Sequence, residues 1–161
     1  MSDAIGGVFN IVIIAVFLVL ISGYMAFNVN YSKAFKFKNK IISNLEAYDG
    51  ECGSGTNCAN DIDEYGKKIG YSVFRISPND ISGDYSKVDG SYISSGSPSC
   101  PNNQYCIIPY TETIKLARGK NKTTRYYKVI TVVNVDIPVI NRIMPGIKLF
   151  HVTGDTKKME V

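Results

Sequence analysis

The most specific chemical pattern in the chain is carried by four cysteines set in two matching frames, Cys52-x5-Cys58 and Cys100-x5-Cys106, each embedded in Gly, Ser, Asn and Pro. Thiols so placed can close disulfide loops, ligate zinc or stay free. Structural zinc sites use tighter cysteine pairs or a nearby histidine, and the single histidine, His151, falls in a β-patterned stretch. An even cysteine count in a loop-rich region points instead to disulfides and an oxidising compartment. Three pairings are open. Cys52 to Cys58 and Cys100 to Cys106 is the expected one, because each pair can close its own loop. At about 2 kcal/mol per bridge on the chain-entropy view, their value is structural.

Other reactive combinations are weaker. One histidine would have to serve any Ser-His-Asp or Cys-His proposal, and no nucleophile sits in a recognisable turn. We therefore expect no enzyme, no catalytic residue, no metal site and no cofactor. Asp61, Asp63 and Glu64 lack the ligand spacing and glycine of a calcium loop, and read as the solvated start of a helix, favoured by its dipole. The basic run Arg118, Lys120, Lys122 and Arg125 contains Tyr126 and Tyr127, a combination that can contact nucleic acid. It reads more simply as a charged hairpin tip that blocks edge pairing, so nucleic acid is not an expected partner. Asn10, alone among apolar residues, either hydrogen-bonds a neighbouring helix or marks a membrane edge.

The elements that hold these residues follow from how charge is distributed. The 161 residues allow one ordinary domain and exclude a multidomain enzyme. None of the 18 Lys and Arg precedes Lys33, and of 14 acidic residues only Asp3 does. Ala4 to Phe27 is free of charge and, at ~1.5 Å per residue, exceeds the ~30 Å hydrocarbon core of a bilayer. It is expected to be a retained single span: no basic residue precedes it and no clear small-x-small cleavage site follows. Lys33, Lys36, Lys38 and Lys40 come directly after it, which by the positive-inside rule favours a cytoplasmic domain. The cysteines favour the opposite side, and the domain is expected to be extracytoplasmic.

The helical pattern continues past the span. Ala34, Phe37, Ile41, Leu45 and Tyr48 recur every three or four residues, an apolar stripe opposite Lys36, Lys40 and Asn44, ending at Asp49-Gly50. The stripe is expected to dock on the chain's own domain. A short helix is expected over residues 60–69, capped by Asn60 or Asp61. A first strand is expected over 71–76, and then a long polar loop over 77–103 with a short strand near Tyr92 and Ile93. A hairpin of 105–117 and 123–137 comes next, then a Pro-interrupted segment over 137–146 and a last strand from 147 to 152. Eleven Tyr and seven Phe with no Trp, beside 14 Gly, suit such a strand-and-turn domain. The expected class is α+β: a stalk helix over 1–49, transmembrane and then amphipathic, and an antiparallel sheet domain over 50–161.

Three stretches carry a family resemblance: the apolar helix IGGVFNIVIIAVFLVLISGYMAF, its continuation NYSKAFKFKNKIISNLEAYDG, and the closing segment YYKVITVVNVDIPVINRIMPGIKLFHVTGDTKKMEV. Together they resemble type IV pilin-like proteins, closest to the TadE-like minor pilins of tight-adherence systems. The fifth residue after Gly6 or Gly7 is Ile11 or Val12 where pilins are similar in having Glu, so cleavage there is not expected. The resemblance implies a structural or assembly subunit of a pilus or secretion system. Its Ile11, Ile14, Phe17, Leu18, Ile21 and Met25 would contact lipid and the helices of other pilin-like or secretion-system membrane subunits, including further copies of itself. A different class remains open: a single-pass tethered binding or sensing domain that recognises its ligand through the loop 77–103. A cytoplasmic accessory domain is a third.

Overall fold

The computed structural model describes residues 2–50, 52, 55–71, 76–79, 81, 93–115, 121–134 and 149–160. Its first element is one unbroken helix, α1 (Ser2–Ala47), about 69 Å long at the standard rise. The absence of Pro and the weak cost of Gly6, Gly7 and Gly23 let apolar and amphipathic halves run together. The helix closes where expected, at Asp49-Gly50. Asp49 takes the left-handed conformation (φ 48°), and the Gly50 N–H returns to the Leu45 carbonyl at 2.8 Å, a Schellman closure. Gly50 (φ 87°) is needed beside it, since a Cβ there would overlap the Tyr127 hydroxyl.

Helix α2 (Asn57–Ile69) begins three residues before its expected start. Thr56, not Asn60 or Asp61, is the cap: its hydroxyl accepts from the Ala59 N–H at 3.3 Å. Asp61, Asp63 and Glu64 consequently lie in the helix interior rather than at a solvated start. At the other end Gly70 (φ 65°) caps the helix, with its N–H and that of Tyr71 bonded to Lys67 and Gly66 carbonyls. Asp61 opposes Lys40 and Asn44, while Gly70 opposes Lys33, so α2 runs antiparallel to α1.

The remainder is the expected antiparallel sheet, which makes the fold α+β. The strands are β1 (Ile93–Ser95), β2 (Tyr105–Lys115), β3 (Asn121–Asn134), β4 (Leu149–Asp155) and β5 (Met159–Glu160), and a single 3-10 turn (Pro101–Asn103) precedes β2. The order is β1-β2-β3-β4, with β5 also pairing β3. The hairpin β2–β3 aligns Tyr105 with Thr131 and Lys115 with Asn121. The expected strand over 71–76 falls mostly outside the described residues, as do the hairpin turn and the Pro-containing 137–146 segment.

Strand alternation sorts the core onto two faces. On one, Tyr105, Ile107, Tyr127 and Val129 pack with Phe37, Ile41 and Leu45 of α1 and Ile62 of α2. On the other, Cys106, Ile108, Tyr110, Ile130 and Val132 are covered by Ile76 and Ile81. Burial on both sides explains why Val129 to Val133 reads as a nearly continuous apolar run. The second half of α1 is therefore part of the domain's own core. Phe37 lies against Tyr71 (4.3 Å between ring centroids) and Tyr105 (5.7 Å). Gly66 of α2 lets it approach, since a Cβ there would come within 2.9 Å of the ring. Tyr48 is the exception in the predicted stripe: just past the last residue of α1, it is 46% exposed. Asn44, placed by spacing on the outer face, is buried instead, because α2 covers that flank.

Candidate functional site

The longest exposed apolar stretch among the described residues is the first half of α1. From Gly7 to Ala26 every residue but Gly23 is exposed, and this twenty-residue stretch spans about 30 Å. The six positions singled out from sequence, Ile11, Ile14, Phe17, Leu18, Ile21 and Met25, are all bare, from 67% exposed at Ile11 to 40% at Ile21. They do not form one stripe: Val12, Val16, Val19 and Leu20 are exposed between them. A rod apolar all round matches a lipid solvent, and α1 is long and apolar enough to cross a membrane. Asn10 is exposed on the same stretch.

The domain takes hold of the helix immediately above. Phe27 meets Phe150 of β4 edge to face at 5.5 Å and Tyr31 of its own helix at 6.1 Å. Further along, Ala34 is enclosed by Val133 and Val152. Its small side chain allows the Thr131 hydroxyl to reach the Ala34 carbonyl at 3.4 Å, shared with the Val152 carbonyl at 3.2 Å. Tyr24 and Tyr31 stand exposed at this junction, the place aromatic residues favour at a membrane surface.

Three of the four lysines that follow the span have partners within the fold. Lys33 Nζ donates to the Gly70 carbonyl at the end of α2 (3.3 Å), where the helix dipole favours a cation. Lys38, only 8% exposed, reaches the Thr153 carbonyl of β4 at 3.5 Å and lies 4.2 Å from the Phe35 ring centroid. Gly154 makes room for it, since a Cβ there would stand 2.9 Å from the Lys38 stem. Lys40 pairs with Asp61 at 2.9 Å, and Asn44 Nδ2 donates to the same carboxylate oxygen at 2.9 Å. The hydrogen bond from Lys40, then that from Asn44, holds the Asp61 carboxyl below its usual range. Lys36 is exposed.

The cysteines are paired locally, Cys52 with Cys58 (Cα–Cα 5.2 Å) and Cys100 with Cys106 (4.1 Å), and none is a free thiol. The first bridge fastens the loop after α1 to the start of α2, inside the main core. The second fastens the 3-10 turn to β2 on the opposite face of the sheet. Among the described residues no group of three or more His, Cys, Asp or Glu is gathered for a metal ion. His151 lies in β4 opposite Val132.

Tyr127 is buried in the core, Tyr126 stacks on Tyr110 at 5.2 Å as its cross-strand pair, and Lys122 pairs with Glu160 of β5. Arg125 is exposed, while Arg118 and Lys120 lie outside the described residues.

Two further devices lock helix and sheet together. Beyond Tyr105, β2 no longer pairs with β3, and the Tyr71 hydroxyl takes its place: it donates to the Val132 carbonyl at 2.8 Å and accepts from the Val132 N–H at 3.0 Å. Burial pushes this hydroxyl's pKa up to about 12. Near the C-terminus, Thr156 is buried against Tyr127, exchanging bonds with both its N–H and carbonyl at 2.9 Å. The next residue ties back to α1, as the Lys157 N–H donates to Glu46 at 2.8 Å. Neither device has a periodic signal: each depends on one polar side chain meeting a distant backbone group. No protein-family model, no curated protein and no solved structure matches the chain.

Proposed function

We propose that the chain is a non-enzymatic, membrane-anchored subunit of the pilin-like, TadE-like kind, serving structure or assembly in a pilus or secretion system. One observation carries the reading. A single continuous helix is bare and apolar for about 30 Å, then becomes the central core element of an antiparallel sheet domain. A tether serving only as an anchor needs no rigid continuity with its domain. A subunit that packs by its stem does, because force or position at the stem must be passed to the head. In this reading the apolar half lies in lipid and exchanges lipid for the stems of neighbouring subunits. The residues available for those contacts are Ile11, Ile14, Phe17, Leu18, Ile21 and Met25.

The domain lies outside the cytoplasm. Two disulfides support this. The post-span lysines, the one argument for the other side, have a reason within the fold: Lys33, Lys38 and Lys40 bind groups of α2 and β4. Thiol labelling of intact cells, with and without reductant, tests the topology. Labelling only after permeabilisation and without reductant would place the domain inside.

Replacing residues 7–26 with an unrelated apolar span tests the role. The exchanged chain should still insert and fold, yet lose co-isolation with its membrane partners and the assembled structure. Full retention of both would make the helix a mere anchor and favour a tethered binding domain.

A further inference from the structure

Just above the bare stretch, α1 and the end of α2 leave an open groove of about 480 Å³, lined by Asn28, Val29, Ser32, Lys33, Lys36 and Ile69. Helical spacing builds it. Asn28, Ser32 and Lys36 recur every four residues and form one row, and Val29 and Lys33 form the next. The second row continues downward through Met25 and Ile21, so the apolar floor at Val29 runs directly into the bare rod. From the other side, antiparallel α2 brings Ile69 and, in its last turn, the exposed Lys67 and Lys68.

Among the described residues the charge here is uncompensated. Lys40, one turn higher, has Asp61, and Lys122, Lys157 and Lys158 have Glu160, Glu46 and Glu112. Among the described residues no carboxylate pairs with Lys33, Lys36, Lys67 or Lys68. Lys33 gives one donor to the Gly70 carbonyl and keeps two others. Cations and neutral donors thus surround an apolar floor at the height where a bilayer would end.

We propose that this groove binds the phosphate of an anionic phospholipid in the leaflet facing the domain. Lys33 and Lys36 pair with the phosphate, Asn28 and Ser32 donate to the neighbouring ester oxygens, and Val29 and Ile69 cover the first acyl methylenes. The inference rests on the membrane-anchor reading. The apolar floor and its continuity with Met25 and Ile21 select a lipid over free phosphate, which would leave that surface wet.

Native mass spectrometry of the full chain in mild detergent, titrated with phosphatidylglycerol, phosphatidylcholine or inorganic phosphate, tests it. Phosphatidylglycerol should be retained in preference to the other two. With each near-surface lysine contributing about a five-fold factor, the double variant Lys33→Gln/Lys36→Gln should bind it about twenty-five-fold more weakly. Lys122→Gln, on β3, should be unchanged. Equal retention of phosphatidylglycerol and phosphatidylcholine, an unaffected double variant, or inorganic phosphate competing as an equal would overturn the proposal.

Flotation with vesicles of the same two lipids after alkaline carbonate separates the two ideas. A chain that floats with both vesicles keeps the membrane anchor whatever the mass spectrometry says of the groove, whereas a chain left in the supernatant loses the anchor as well.

Discussion

If the upper half of α1 is core and the lower half is not, truncating one phenylalanine in each should give opposite results. Phe37 is wholly buried, stacked on Tyr71, edge-on to Tyr105 and seated against Gly66. Phe37→Ala loses the transfer free energy of the ring, about 2 to 3 kcal/mol, and leaves a cavity that rigid neighbours cannot fill. The total should be about 3 to 5 kcal/mol. Domains of this size are stable by about 5 to 15 kcal/mol, so the loss removes a large share. Phe17 is 62% exposed on the bare stretch and belongs to none of the core clusters of the described residues. Phe17→Ala should change domain stability by less than about 0.5 kcal/mol. Urea unfolding of the full chain in detergent micelles, followed by tyrosine near-UV circular dichroism, reads both, with an unchanged slope expected for each variant. A Phe37→Ala cost below about 1 kcal/mol, or a Phe17→Ala cost equal to it, would refute the shared-helix reasoning.

Other consequences are as direct. Tyr71 keeps its proton in the fold up to about pH 12, against about 10 unfolded. Its contribution is therefore intact below pH 10 and lost as pH rises through 12, about 2 to 3 kcal/mol in all. Tyr71→Phe should cost about 1 to 3 kcal/mol at neutral pH by stranding the Val132 amide, and should flatten the alkaline loss in pH-dependent unfolding. Part of the slope will remain, because burial and the Asp63 charge also push Tyr105 upward. Reducing Cys52–Cys58 and Cys100–Cys106, each closing a loop of sequence separation 6, should cost about 2 kcal/mol apiece in unfolding with and without reductant. Gly50→Ala combines a left-handed backbone with overlap on Tyr127. It should lower stability by more than the about 1 kcal/mol of a simple left-handed penalty, measured by the same urea unfolding.

Local patterns in the sequence carry the main architecture. The charge-free run, the spacing of Ala34, Phe37, Ile41 and Leu45, and the alternation flanking residues 118–122 reflect periodicities of 3.6 and 2 that the fold obeys. Local pairing of the cysteines follows for the same reason, since partners six residues apart meet within one loop. What escapes is what long-range contacts decide. Asn44 looks solvent-facing until Asp61 arrives from α2, and Lys38 looks exposed until Thr153, 115 residues later, offers its carbonyl. Tyr71 acquires its role only because β2 starts at Tyr105 and leaves Val132, 61 residues along the chain from Tyr71, without a strand partner on that side. The start of α2 is hidden because Thr56 sits within a run of equally polar loop residues, any of which could cap. The groove beside Lys33 and Lys36 is invisible from α1 alone, since Ile69 forms its other wall.

The decisive test places a nitroxide, through a non-natural amino acid so that the cysteines stay paired, at Val12, Phe17, Ile21, Asn39 and Ser43 of the full chain in lipid vesicles. All five positions are exposed on the protein itself. A helix shared between bilayer and domain requires the first three to collide freely with dissolved oxygen and be shielded from a water-soluble nickel complex, and the last two to show the reverse. Nickel access at Val12, Phe17 and Ile21 equal to that at Asn39 and Ser43 would contradict the account.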